Sequence, residues 1–382
     1  MPDPAPKPSA PKPLAGIRVV ELARVLAGPW CGQLLADLGA EVVKVERPGV
    51  GDDTRHWGPP FVAGADGRNL GAAYYHSTNR GKRGVAIDIA TSEGQAEVRA
   101  LIAAADVVIE NYKVGGLAKY GLDPARLRAD FPHLIVCSIT GFGQTGPYAH
   151  RAGYDFIIQA MGGAMSLTGE PDGAPQKSGV AYADLFTGMY SAVAILAALR
   201  RRDATGAGAH IDMALLDCQV GVLANQAGNY LASGVSPQRM GNGHANVAPY
   251  QAFATIDGQL VVAVGNDGQF RKLCKVLGEP QWADDPRFTT NSARLANRAA
   301  LIPLVAAKIA TWEAQPLSLA LEAEDVPAGP INDLAGVFAD PQVAARGMRF
   351  RPEGAFVDGL ASPIVIDGER MVASTGAPPL AQ

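Results

Sequence analysis

One short stretch limits what this chain can fold into. Residues 17–21 read as a strand, 30–38 carry helical periodicity closed by Gly39, and 41–46 return to strand. That is a β-α-β unit, and the pattern continues beyond it. A strand is expected over 85–88, a helix through Ala105 from the capping pair Ser92 and Gln95, and strands over 106–110 and 134–139. Strands alternating with helices favour a mainly parallel sheet covered on both faces, with ligands beyond the carboxyl ends of the strands.

Farther along, 189–202 predicts a helix, 203–210 is glycine-rich, and 211–216 is strand-like. The character then changes. Residues 251–256 and 259–265 flank Asp257-Gly258, a hairpin signal, and helical patterns follow between Phe270 and Leu321. The expected division is a Pro-rich, disordered tail over 1–13, a large α/β domain over 14–205 and a linker over 206–224. A smaller α+β domain over 225–325 follows, and 326–382 return to the first domain.

Composition narrows the function classes. Hydrophobic residues make up 48% and charged residues 18% of 382, the usage of a folded globular chain. The net charge of −4, without a long basic run, argues against a nucleic-acid partner. Cys31, Cys137, Cys218 and Cys274 are scattered and form no C-x-x-C, and the six histidines form no close pair, so no disulfide framework and no metal site are expected. Apolar stretches such as 192–199 are short for a membrane span, and the N-terminus lacks the apolar core of a signal peptide. The expectation is a cytoplasmic protein without a membrane partner.

Three groups of residues could carry chemistry. Gly141-Phe142-Gly143-Gln144-Thr145-Gly146 matches G-x-G-x-x-G after a strand, but Pro147 to Arg151 does not open the helix a dinucleotide site requires. A loop of turns near a ligand is the better reading. Arg47, Asn79-Arg80-Gly81-Lys82-Arg83 and Lys119 place cations near strand ends, suited to phosphates or simply to a solvated face. Asp184, among small and apolar residues ahead of the 189–202 helix, reads equally as an N-cap or as a nucleophile kept ionised by the helix N-terminus.

Taken together and in order, residues 40–48 (Ala-Glu-Val-Val-Lys-Val-Glu-Arg-Pro), Glu110-Asn111-Tyr112, Gly141 to Tyr148 and Asp184 resemble the family III CoA transferases, the CaiB/BaiF family. Further matches run through Thr205-Gly206, Gly208, His210, Gly241-Asn242, residues 249–253 and 326–330. The resemblance implies a Rossmann-like large domain built from both chain ends, a smaller α+β domain and an interlocked homodimer. It implies Asp184 as the catalytic aspartate. It also implies a CoA-binding surface of Leu26, Ala27, Arg47, Asn79, Arg80, Gly81, Lys82, Arg83, Asn111, Tyr112, Lys113, Lys119, Tyr154 and Asp155.

The reaction so implied moves CoA from an acyl-CoA, a succinyl-type dicarboxylyl-CoA by analogy, to a free carboxylic acid. Coenzyme A is substrate, and no cofactor is permanently bound. Lys113 and Lys119 stand where relatives often carry other residues, and Leu26 stands where a formyl-CoA transferase has glutamine, so formyl or oxalyl substrates are not implied. Two alternatives remain at this point. An α-methylacyl-CoA racemase would need two bases, and Tyr154 stands in Gly153-Tyr154-Asp155 where racemases place histidine. A non-catalytic acyl-CoA-binding dimer would need the cations and not Asp184.

Overall fold

The computed structural model describes residues 11–381. Most of the expected disordered tail therefore lies outside the described residues. Within it, Lys12 belongs to the fold, because its Nζ donates to the Val372 carbonyl at 2.5 Å.

The chain forms two units. Among the described residues, the larger comprises 11–164, 177–235 and 341–381, and the smaller comprises 165–176 and 236–340. In the larger unit six strands, β1 (Arg18–Glu21), β2 (Glu41–Glu46), β3 (Lys82–Ala86), β4 (Val107–Glu110), β5 (Ile135–Thr140) and β6 (Ala209–Ala214), form one sheet in the order β3-β2-β1-β4-β5-β6. Every pairing is parallel, with Val19 opposite both Val42 and Val107. The order reverses between β1 and β4, which opens a crevice at their carboxyl ends.

Each face of the sheet carries apolar packing, as strands rich in Val and Ile demand. On one, Val19, Val107, Ile109 and Cys137 pack with Cys31 and Leu35 of α1 (Ala27–Asp37) and with Ile195 of the long helix Tyr182–Thr205. On the other, Val20, Val108 and Val136 pack with Val98 and Ile102 of the helix Ser92–Ala103. The long helix crosses α1 so closely that a Cβ on Gly188 would lie 2.7 Å from the Ala27 carbonyl and 3.0 Å from the Trp30 ring.

Several boundaries differ from expectation for identifiable reasons. The first helix starts at Ala27 rather than Trp30, since Pro29 is tolerated where no intrahelical N–H bond is needed. Residues 206–224 are no linker: Gly206 at φ 73° ends the long helix, and Gly208 lies flush against the Leu134 carbonyl, so β6 pairs with β5 at once and the helix Leu215–Gly221 follows. The long helix begins at Tyr182 instead of 189, which puts Asp184 in its first turn. By length and composition this helix is apolar enough to cross a membrane, which the short 192–199 run did not suggest. It nevertheless buries Thr187, Ser191, Ile195 and Leu199 within the unit.

The smaller unit holds a three-stranded antiparallel sheet of β7 (Tyr250–Ala254), β8 (Gln259–Ala263) and β9 (Ala328–Pro330), with β8 central. Thr255 N–H bonds to the Gly258 carbonyl and closes the hairpin. Helices Asp267–Val276, Arg298–Ile309 and Ala314–Glu322 bury Phe270, Leu301, Val305 and Leu317 against Leu260 and Val262. Residues 326–340 thus belong here rather than returning to the larger unit, because β9 needs β8 as its partner.

Candidate active site

A cleft of about 630 Å³ opens at the switch point of the parallel sheet. The segment after β1 supplies Arg24, Val25, Leu26 and Ala27, that after β4 supplies Asn111, Tyr112, Lys113 and Lys119, and Thr140 at the end of β5 is followed by Gly141, Arg151, Gly153 and Tyr154. Asp184 also lines the cleft. Gly141 and Gly153 touch backbone to backbone, and a Cβ on either would lie 2.6 Å from the other's Cα. The glycine-rich loop is therefore a wall of turns, with Gly143 and Gly146 at positive φ and no helix behind it.

Asp184 does not sit in the environment its helix position suggests. The helix has no side-chain cap of its own at Ala181; instead Asp155 Oδ1 accepts the Ala183 N–H at 2.9 Å, and its Oδ2 accepts from Gln159 Nε2 at 2.7 Å. Gln159 Oε1 in turn accepts the Ser178 N–H at 2.9 Å. Asp155 is thus a brace for the segment before Asp184, not a member of the cleft lining. Burial and the Asp155 charge together push the Asp184 carboxyl up to about 7. The expectation that the helix N-terminus keeps it readily ionised is corrected, since a second carboxylate already occupies that N–H. Tyr74, pushed up to about 12 by burial and then by the charges of Asp184 and Asp155, remains a neutral phenol nearby.

The cations divide into two sets that sequence order does not distinguish. Asn79, Arg80 and Lys82 point inward. Lys82 Nζ, wholly buried, lies 2.8 Å from a Glu21 carboxylate oxygen and donates to the Pro29 carbonyl at 2.8 Å and to Asn79 Oδ1 at 2.9 Å. Arg80 pairs with buried Asp37 and donates to the Leu360 carbonyl, and Gly81 at φ 76° presses against Ala373. These residues hold the fold and do not face the cleft. Arg47, directly after β2, and Arg83, on β3, are exposed but lie across β1 from the switch point and do not line the cleft.

The cations that do line it are Lys113 and Lys119, which the sequence suggested, and Arg24 and Arg151, which it did not. Arg24 pairs with Asp53 at 2.8 Å, whereas no ion pair among the described residues holds the other three. Arg151 stacks 4.7 Å from the Tyr148 ring and 5.3 Å from Phe142, a placement that leaves its guanidinium edge for an anion. The signal that could have found Arg24 and Arg151 was position: Arg24 lies in the short segment between β1 and α1, and Arg151 lies in the segment after β5, just beyond the glycine-rich loop.

Two carboxylates, Asp53 and Asp184, and four cations in a cleft at the switch point of a parallel sheet mark an enzyme of the nucleotide-handling α/β class. The comparisons with known proteins give the family. The model of CoA-transferase family III matches residues 14–382. The chain is 59% identical over 362 residues to succinate–glutarate CoA-transferase from Agrobacterium fabrum, covering 94% of this chain and 90% of that one. It is 44% identical to the succinyl-CoA:glutarate CoA-transferase of Homo sapiens, covering 92% and 79%. A crystal structure of a CaiB/BaiF family protein from Brucella suis is similar with a TM-score of 0.87 at 59% identity, covering 97% of each chain. The chain belongs to CoA-transferase family III, the CaiB/BaiF family, and is a CoA-transferase.

Arg151→Ala is expected to weaken CoA binding by about tenfold, or roughly 1.4 kcal/mol, and to flatten its salt dependence. Calorimetric titration at two ionic strengths measures both, and unchanged affinity would remove Arg151 from the phosphate-binding set.

Proposed function

We propose that this enzyme transfers CoA between dicarboxylic acids, with Asp184 as the nucleophile and the cleft cations and the start of α1 as the CoA site. The placement of Asp184 in the same cleft as Lys113, Lys119 and Arg151 carries the reading. In its ionised form the Asp184 carboxylate attacks the thioester carbonyl, the C–S bond breaks, and CoA thiolate leaves a mixed anhydride. The thiolate then attacks the aspartyl carbonyl, giving an aspartyl-CoA thioester and the free donor acid. The acceptor carboxylate attacks that thioester, and the released thiolate takes the acceptor acyl group, restoring Asp184. The acyl bond energy is conserved, so no step requires ATP.

Leu26, Ala27, Asn111, Tyr112, Lys113, Lys119 and Tyr154 contact CoA in this reading, and the uncapped N–H groups at the start of α1 favour its phosphates. The names of the relatives support four- and five-carbon dicarboxylates as donor and acceptor. Racemisation is disfavoured, because no histidine among the described residues lines the cleft and Tyr154 is the phenol next to Asp184's brace, Asp155. A homodimer is supported by an apolar face on the larger unit, where Phe156, Ile157, Met189, Tyr190 and Val193 are 45–62% exposed. A cytoplasmic setting suits the four free, buried cysteines. Incubating the enzyme with succinyl-CoA and a mixture of carboxylic acids, followed by mass spectrometry, should yield glutaryl-CoA and not formyl- or oxalyl-CoA. Monocarboxylyl-CoA products alone would overturn the substrate class.

A further inference from the structure

The turn between β1 and α1 holds a conformation its sequence disfavours. Val25 sits at φ 72°, in the left-handed region that a β-branched residue almost never enters. Such a residue persists only where its surroundings over-determine it. Here they do. Lys44 Nζ donates to the Ala23 carbonyl at 2.9 Å, Asn111 accepts the Arg24 N–H at 3.0 Å and donates to the Arg24 carbonyl at 2.7 Å, and both oxygens of Asp52 lie 3.2 Å from the Val25 nitrogen.

The anchor behind Val25 is itself rigid. The side chains of Lys44 and Asp52 are wholly buried and 2.9 Å apart. Thr54 donates to Asp52 Oδ1 through its N–H at 3.0 Å and its hydroxyl at 2.8 Å, and Lys44 also donates to Glu21 Oε1 at 3.0 Å. Neither Lys44 nor Asp52 lines the cleft, yet Arg24, Val25, Leu26 and Ala27 all do. A relaxed φ at Val25 would redirect Arg24 on one side and the start of α1 on the other.

We propose that Asp52, held by Lys44, is a positioning residue for CoA transfer: by fixing Val25 in the left-handed region it aims Arg24 and the start of α1 into the cleft. The inference rests on the cleft being the acyl-CoA site. It separates the two roles of the buried charge cluster, since Lys82 supports the sheet while Asp52 shapes the ligand-facing turn.

A double-mutant cycle between positions 52 and 25 tests it, with succinyl-CoA as donor. Asp52→Ala is expected to raise KM for succinyl-CoA by about tenfold in protein that retains its circular dichroism, because misplaced groups lose binding out of proportion to their number. Adding Val25→Gly, which reaches the same φ without a Cβ penalty, should recover about threefold of that loss, as the turn no longer depends on the carboxylate. An unchanged KM in Asp52→Ala overturns the proposal. So does a raised KM that Val25→Gly leaves in place, since general loosening of the core would not be relieved at Val25. If the alanine variant does not fold, the cycle starts from Asp52→Asn, whose one amide oxygen cannot serve Lys44, Thr54 and Val25 together, and rescue by Val25→Gly is read in the same way. Wild-type protein that binds no CoA would overturn the reading of the cleft, and this inference with it.

Discussion

Asp184→Asn is expected to abolish transfer, lowering kcat by about 10⁴-fold or more, while the fold and CoA binding persist. Incubation of the wild-type enzyme with donor alone should leave a covalent adduct that hydroxylamine converts to a hydroxamate, mapped by peptide mass to the segment from Ser178 to Gly188. An adduct on another carboxylate would remove Asp184 from its role. The same residue predicts two pH effects. Because its carboxyl is pushed up to about 7, kcat/KM should rise as pH passes through about 7 and the nucleophile ionises. Stability should run the other way. A carboxyl whose folded pKa exceeds its unfolded value costs nothing when both states are protonated, below about pH 4, and its cost grows until pH exceeds the folded value. Asp184→Asn should therefore be more stable than wild type above pH 7, by on the order of a few kcal/mol, and gain nothing near pH 4. Parallel denaturant titrations at the two pH values decide it, and an equal difference at both would show that Asp184 carries no such strain.

Lys82→Ala is expected to destabilise the fold by about 3–5 kcal/mol, because it leaves the Glu21 carboxylate short of a partner and strands the Pro29 carbonyl and Asn79 Oδ1 in the interior. Arg83→Ala, one residue on and exposed, should change stability by no more than about 0.5 kcal/mol. The pair separates a structural lysine from a phosphate ligand. A Lys82→Ala protein as stable as wild type, but weak in CoA binding, would restore Lys82 to the ligand set.

These two variants also mark how far the sequence reaches. Strands and helices of the larger unit were legible because hydrophobic periodicity and caps are local: Val19, Val107 and Ile135 announce buried parallel strands, as Asp257-Gly258 announces the hairpin of the smaller unit. The segment 206–224 was not legible as β6 and a helix, since Gly206 and Gly208 read as a loop until Gly208 is seen flush against Leu134. Asp184 could be singled out from its small-residue surroundings and from the resemblance, but only as a residue type at a place in the chain.

What the sequence by itself determined was the parallel α/β sheet, the family resemblance and the choice of one candidate carboxylate, because these depend on spacing along the chain. Tertiary structure alone decided which cations line the cleft. Lys82 and Arg80 lie in a basic run yet are turned to Glu21 and Asp37, whereas Arg24 and Arg151, solitary in sequence, converge on the crevice where strand order reverses. It also decided the acidity of Asp184, through an Asp155 carboxylate brought from 29 residues away in sequence to cap the same helix. Direction of a side chain and proximity of a charge are properties of packed elements, and no local pattern of residues encodes them.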